Sequence, residues 1–187
     1  MASVSPFVHL HDKCFEPYIS VETIAARVAA LGKMISEDYA GKKPIFIAVL
    51  NGSFVFAADL FRAVTIDAEI SFIKLGSYKG MSSSGSVVTA IGLEEKLARR
   101  HVILLEDIID TGKTLNEFLP EIKARNPASL RIASFLVKPE ALVHLVLADY
   151  TGFEIANEFV VGYGLDYSGL GRNLAGLYRV REEAQAS

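Results

Sequence analysis

Residues 102–114 read Val-Ile-Leu-Leu-Glu-Asp-Ile-Ile-Asp-Thr-Gly-Lys-Thr, and their types and spacing define a chemistry before any fold is considered. Four apolar residues, 102–105, run directly into Glu106, Asp107 and Asp110. Such a run suits a strand covered on both faces, and the carboxyl ends of such strands are where open α/β sheets hold ligands. Carboxylates crowded there repel one another, so folding alone gives no reason to gather them; a polyol or a cation does. The adjoining turn, Thr111-Gly112-Lys113-Thr114, has a glycine, two hydroxyls, a lysine and free amides leading into a helix. That is the chemistry of an anion site. A ligand with both a vicinal diol and a phosphate satisfies both halves, and ribose 5-phosphate is one.

Other readings of these residues fail on spacing. A P-loop needs a glycine five residues before its Gly-Lys pair, where Asp107 stands. A phosphatase of the Asp-x-Asp-x-Thr type is excluded because the spacing is Asp107-x-x-Asp110-Thr111. His9 and His11 lie two apart as metal ligands can, but no third ligand is near in sequence. They, His101 and His144 are read as structural or surface residues.

The elements that must position these residues alternate along the chain. Ser20 is placed to cap a helix whose apolar positions, Ile24, Val28, Leu31 and Ile35, fall at helical spacing until Gly41. Strands are predicted over 45–50, 66–75, 87–91, 102–106, 130–137 and 159–162, with 177–180 closing the sheet. Helices are predicted over 54–62 and 114–125, and a charged surface turn over 94–100. Residues 76–85, which contain Met81-Ser82-Ser83-Ser84-Gly85, are expected to form a mobile loop. Strands alternating with helices suggest a mainly parallel, twisted sheet covered on both faces.

Composition narrows the class. At 187 residues a single domain, 1–187, is the default. Nineteen Lys and Arg against 22 Asp and Glu give a net charge of −3, which offers no general attraction to nucleic acid or to a membrane surface. The most hydrophobic stretch, 44–61, is interrupted by Asn51-Gly52-Ser53 and holds Asp59, so it is not read as a membrane span. Residues 1–15 lack the long apolar core of a secretion signal. Cys14 is the only cysteine, which excludes an internal disulfide and fits a reducing cytoplasm.

Residues 102–114 resemble the phosphoribosyl diphosphate (PRPP) binding motif of the type I phosphoribosyltransferases, in the wording of their hypoxanthine-guanine branch. Three further segments agree in order and distance: 49–53 (Val-Leu-Asn-Gly-Ser) with the pyrophosphate loop, 135–139 (Phe-Leu-Val-Lys-Pro) with the purine-reading lysine, and 159–167 (Phe-Val-Val-Gly-Tyr-Gly-Leu-Asp-Tyr), followed by Arg172, with the C-terminal hood. The fold implied is α/β, a mainly parallel twisted sheet flanked by helices, with a small hood formed by about residues 1–20 and 150–187.

The resemblance also implies roles. Glu106 and Asp107 accept from the ribose hydroxyls, as ionised carboxylates do strongly. Residues Asp110, Thr111, Gly112, Lys113 and Thr114 hold the 5-phosphate, and Asp110 is the general base at purine N7. Asn51, Gly52, Ser53 and Arg172 bind pyrophosphate. Lys138 donates to the 6-oxo group, Phe159 stacks on the base, Ile108 covers the other face, and the Val160 backbone and Asp166 complete the purine site. Asp166, Glu106 and Asp107 are candidate Mg²⁺ ligands. Ser77 and Tyr78 begin an active-site lid that would exclude water.

One departure stands out. Better-known members have a lysine where this chain has Asn51, leaving pyrophosphate more dependent on backbone amides, Arg172 and Mg²⁺; the Leu50–Asn51 peptide is expected to be cis. The activity implied is transfer of phosphoribose from PRPP to hypoxanthine, and to guanine, by a homodimer or homotetramer. The alternative is a regulator of the same fold that senses PRPP or nucleotide and binds nucleic acid, which calls for a basic face or an added domain.

Overall fold

The computed structural model describes residues 6–78 and 87–181. A helix α1 (Val21–Asp38) starts where Ser20 accepts a hydrogen bond from the Thr23 amide. Then come β3 (Ile45–Leu50), α2 (Phe54–Ala63), β4 (Glu69–Tyr78), β5 (Val87–Ile91), β6 (His101–Ile109), α3 (Lys113–Ala124), β7 (Ser129–Val137) and β8 (Tyr150–Glu154). Their sheet has the order β5-β4-β3-β6-β7-β8. Five strands run parallel, and β5 pairs antiparallel with β4.

Helices α1 and α2 cover one face. Ile24, Leu31, Phe56 and Leu60 pack there on Phe46, Ala48, Ile103 and Leu105. Helix α3 covers the other, with Leu115, Phe118 and Ile122 against Ile47, Val102 and Leu104. Strands buried on both faces read as continuous apolar runs, which is why 45–50 and 102–105 could be read directly. Along β6 the alternation changes phase. Ile103, Leu105 and Ile108 belong to the α1–α2 side, while Val102, Leu104 and Ile109 belong to the α3 side. The shift falls across Glu106 and Asp107.

A second, antiparallel sheet has the order β1-β2-β10-β9, formed by β1 (Val8–Leu10), β2 (Lys13–Ile19), β9 (Val160–Val161) and β10 (Leu177–Val180). This is the hood. It corrects several sequence expectations. The 177–180 strand does not close the main sheet but pairs with β2 and β9. Residues 150–154 belong to the edge of the main sheet, not to the hood. Strand β4 starts at Glu69 and runs through Gly76, Ser77 and Tyr78, which were expected in a loop. Strand β6 does not stop at Glu106; ladder pairing with β7 carries it to Ile109. The expected loop 81–85 lies outside the described residues. No helix among the described residues is long and apolar enough to cross a membrane.

Phe135 joins the layers. It is fully buried in β7, and its ring meets Phe56 of α2 at 5.7 Å, Phe153 of β8 at 5.8 Å and Tyr163 of the hood at 4.6 Å between centroids. Phe135→Ala is expected to cost about 3–5 kcal/mol, read as a lowered midpoint in urea unfolding.

Candidate active site

The acids and hydroxyls singled out in the sequence gather at the carboxyl ends of β3, β6 and β7. Residues 106–115 line a cavity of about 270 Å³. Its floor is the turn into α3, where Gly112 adopts φ +74° and serves as the N-cap. A Cβ at Gly112 would run into the His144 carbonyl. From the same side, the Val143 and His144 amides both donate to the Thr111 carbonyl, at 3.1 and 3.0 Å. The turn's carbonyl is thus satisfied from behind, while Thr111, Lys113 and Thr114 are exposed toward solvent. First-turn amides plus hydroxyls at a helix N-terminus make an anion site. The Lys113–Glu117 pair, 3.9 Å apart and open to solvent, restrains the lysine little.

Glu106 is buried and its Oε2 has no hydrogen-bond partner. Burial, with the neighbouring Asp107 charge second, holds its carboxyl well above the usual carboxylate range. Asp107 is raised for the same first reason, although its Oδ1 accepts from the Ile108 amide at 2.9 Å and the Arg172 charge opposes the shift. Asp107 lies against the loop that follows β3. A Cβ on Gly52 would overlap the Asp107 carboxylate, and one on Gly164 (φ +103°) would overlap the Gly52 carbonyl. The Leu50–Asn51 peptide is cis, as expected. Asn51 is exposed. Ser53 is fully buried and its hydroxyl donates to the Val49 carbonyl at 2.5 Å.

A second cavity, about 220 Å³, adjoins the first and shares Asp107, Ile108 and Asp110 with it. Lys138, Phe159, Val160 and Asp166 line its other sides. Lys138 is only 6% exposed, and its Nζ donates to Asp110 Oδ2 at 3.0 Å. Asp110 itself remains half open, with 48% of its side chain accessible. Phe159 is 45% exposed. Leu165 also lines this cavity; no local pattern in the sequence singled it out.

The Arg172 guanidinium is already engaged. Nη2 pairs with Asp166 Oδ1 at 2.5 Å and Nη1 donates to the Gly164 carbonyl at 2.7 Å. Asp166 Oδ2 accepts from the Gly169 amide at 2.7 Å. A hard cation such as Mg²⁺ needs only one or two carboxylates, with water and substrate oxygens completing its shell. Asp107 and Asp166 line one cavity and suit that demand. Glu106 lines only the other cavity, so the three expected metal ligands do not form one set. Among the described residues no three His, Cys, Asp or Glu side chains converge into a cage. Ser77 and Tyr78 end β4; the lid they were expected to begin continues outside the described residues.

This arrangement of a parallel sheet with an antiparallel hood, acids at the end of the central strand and an anion-binding turn places the chain in a known class. Residues 20–168 match the phosphoribosyl transferase domain, and the chain belongs to that family. Relatives sharpen the placement. The chain is 41% identical over 170 residues to the hypoxanthine-guanine phosphoribosyltransferase of Streptococcus pneumoniae, covering 90% of this chain and 94% of that protein. It is 45% identical over 153 residues to the hypoxanthine phosphoribosyltransferase of Buchnera aphidicola, covering 80% and 86%. Among solved structures, a hypoxanthine-guanine phosphoribosyltransferase from Bacillus anthracis superposes with a TM-score of 0.81 at 37% identity, covering 88% of this chain and 96% of that one. A hypoxanthine phosphoribosyltransferase from Staphylococcus aureus gives 0.83 at 34%, covering 89% and 91%.

The buried acids leave a signature in stability. A carboxyl whose pKa is raised by folding contributes stability that is complete below its unfolded pKa and is lost as pH rises through the folded value. Glu106 and Asp107 both act in this sense. The ligand-free protein should therefore lose melting temperature from mildly acidic toward neutral pH. Glu106→Gln should flatten that decline, as measured by calorimetry across the range.

Proposed function

We propose that the protein is a 6-oxopurine phosphoribosyltransferase, joining hypoxanthine or guanine to the phosphoribosyl group of PRPP and releasing pyrophosphate, as a step of purine salvage. The observation that carries this reading is the Lys138–Asp110 pair, whose partners stand 3.0 Å apart beside a half-exposed phenylalanine. A 6-oxopurine presents O6 and N7 on one edge, close enough for one bidentate group to span both. A lysine donor next to a carboxylate acceptor matches that edge when N7 carries the proton. Adenine presents an amino group where O6 would be and cannot accept from Lys138.

In this reading the 5-phosphate sits on the amides and hydroxyls of residues 111–114, and the ribose hydroxyls reach Glu106 and Asp107. Phe159 stacks on the base and Ile108 covers its other face. Purine N9 bonds to C1′ as the bond from C1′ to pyrophosphate breaks, and the N7 proton passes to Asp110. The Gly52 loop, Asn51 and Arg172 face the leaving pyrophosphate; Arg172 reaches it by exchanging its bond to Asp166. Asp166 and Asp107 would hold Mg²⁺, which when bound would supply charge neutralisation at the pyrophosphate. Ser77 and Tyr78 begin a lid that keeps water from the ribosyl centre. The whole chain acts as one phosphoribosyltransferase domain, as a homodimer or homotetramer, in the cytoplasm.

The direct test is nucleotide formation from PRPP, Mg²⁺ and each of hypoxanthine, guanine and xanthine; absence of turnover with all three sinks the proposal. Asp110→Asn should lower kcat by about 10²–10⁴, a loss out of proportion to the drop in melting temperature that follows from leaving the nearly buried Lys138 without its counter-charge. Comparable losses in both would assign Asp110 a structural role instead.

A further inference from the structure

The base platform, Phe159, has no covalent neighbour that fixes its ring, and one face must stay open to stack. Aromatic neighbours outside the cavity hold it. Its ring meets Tyr167 edge-on, with centroids 5.6 Å apart at 80°, and tilts against the fully buried Phe15 at 6.3 Å. Tyr167 in turn contacts Phe15 at 6.1 Å. Tyr167 belongs to a tight turn closed by two hydrogen bonds between its backbone and that of Leu170.

That turn is gripped from a distant part of the chain. The tip of the β1–β2 hairpin carries His11, Asp12 and Lys13. The Tyr167 hydroxyl donates to Asp12 Oδ1 at 2.7 Å. The His11 ring packs edge-on against Tyr167 at 5.6 Å, and its Nε2 lies 3.3 Å from the Ser168 carbonyl. Lys13 Nζ sits over the Tyr167 ring at 5.7 Å. Hydrogen bond, ring contact and cation thus converge on one tyrosine, and none of them belongs to the cavities where substrates fit. Asp166, beside it, keeps an anchor outside that turn in Arg172. Loss of the Tyr167 hydroxyl bond therefore acts on Phe159 and leaves Asp166 held.

We propose that Tyr167, clasped by Asp12 of the N-terminal hairpin, is a positioning residue that sets the Phe159 platform and so the affinity for the purine base. The clasp rests on the purine reading proposed above. It predicts a split: Tyr167→Phe and Asp12→Ala each raise KM for the base roughly fivefold or more and leave KM for PRPP within about twofold. Asp12→Asn, which keeps an acceptor oxygen, recovers most of the loss. A purely structural contact would lower melting temperature without separating the two KM values.

A second measurement does not depend on turnover. The chain has no tryptophan, so Phe159→Trp supplies a unique fluorophore at the platform. Adding Tyr167→Phe to that background should increase acrylamide quenching and lower emission anisotropy. Unchanged fluorescence, or base KM values within twofold of the parent in both Tyr167→Phe and Asp12→Ala, overturns the clasp. If the parent protein turns over no purine, the proposed function fails while the fluorescence comparison still decides whether the clasp holds the ring.

Discussion

Three chain segments meet at Gly52 with no room between them. The Asp107 carboxylate occupies the space where a side chain on residue 52 would project, and the backbone at Gly164 presses on the Gly52 carbonyl. This packing brings the loop after β3, the acidic end of β6 and the hood turn into one site. Any side chain at residue 52 would push the carboxylate off the floor of the site, and one at residue 164 would lift the hood away. The lengths of β3 and β6, the phase change along β6 and the position of the hood all converge on this contact.

Electrostatics at the site follow from the same crowding. Lys138, which lines the second cavity, is paired with Asp110, and Arg172 is paired with Asp166. Among the described residues Glu106 has no ion pair, and its Oε2 has no hydrogen bond. An acceptor taken out of water without a partner is costly, more so if charged. The site thus holds unspent acceptor capacity at Glu106 and counter-charges that can be exchanged. A polyhydroxylated, multiply charged ligand relieves both, and the fold tolerates the cost because Asp107 and Glu106 sit on a strand fixed by neighbours on each side.

Much of this was legible in the sequence because buried parallel strands and capped helices write themselves locally. The 45–50 strand, the Ser20 cap and the acid cluster are all short-range patterns. The anion turn and Lys138 could be read because chemistry-bearing residues stood where no packing reason placed them. What was missed is long-range. Strand β10 is apolar enough for either sheet, and only its pairing with β2 decides. Strand β8 has Gly152 at its centre, which weakens any strand signal; the glycine is there because a side chain would strike the Phe135 carbonyl. The commitment of Ser53 to Val49, the pairing of Arg172 with Asp166 and the support of Thr111 by residues 143 and 144 are contacts that no spacing rule encodes.

The two sheets differ in how far apart in the chain their partners lie. The half proposed to hold the phosphate, from β3 to α3, lies within residues 45–124. The hood joins Ile19 to Leu177 and Phe15 to Val180, so it closes only after nearly the whole chain is available. Contacts between residues so distant form late, because the loop-closure entropy comes before the gain. During synthesis the half proposed to recognise phosphoribose can therefore assemble while the proposed aromatic platform does not yet exist. The order of assembly follows the proposed division of labour between sugar and base.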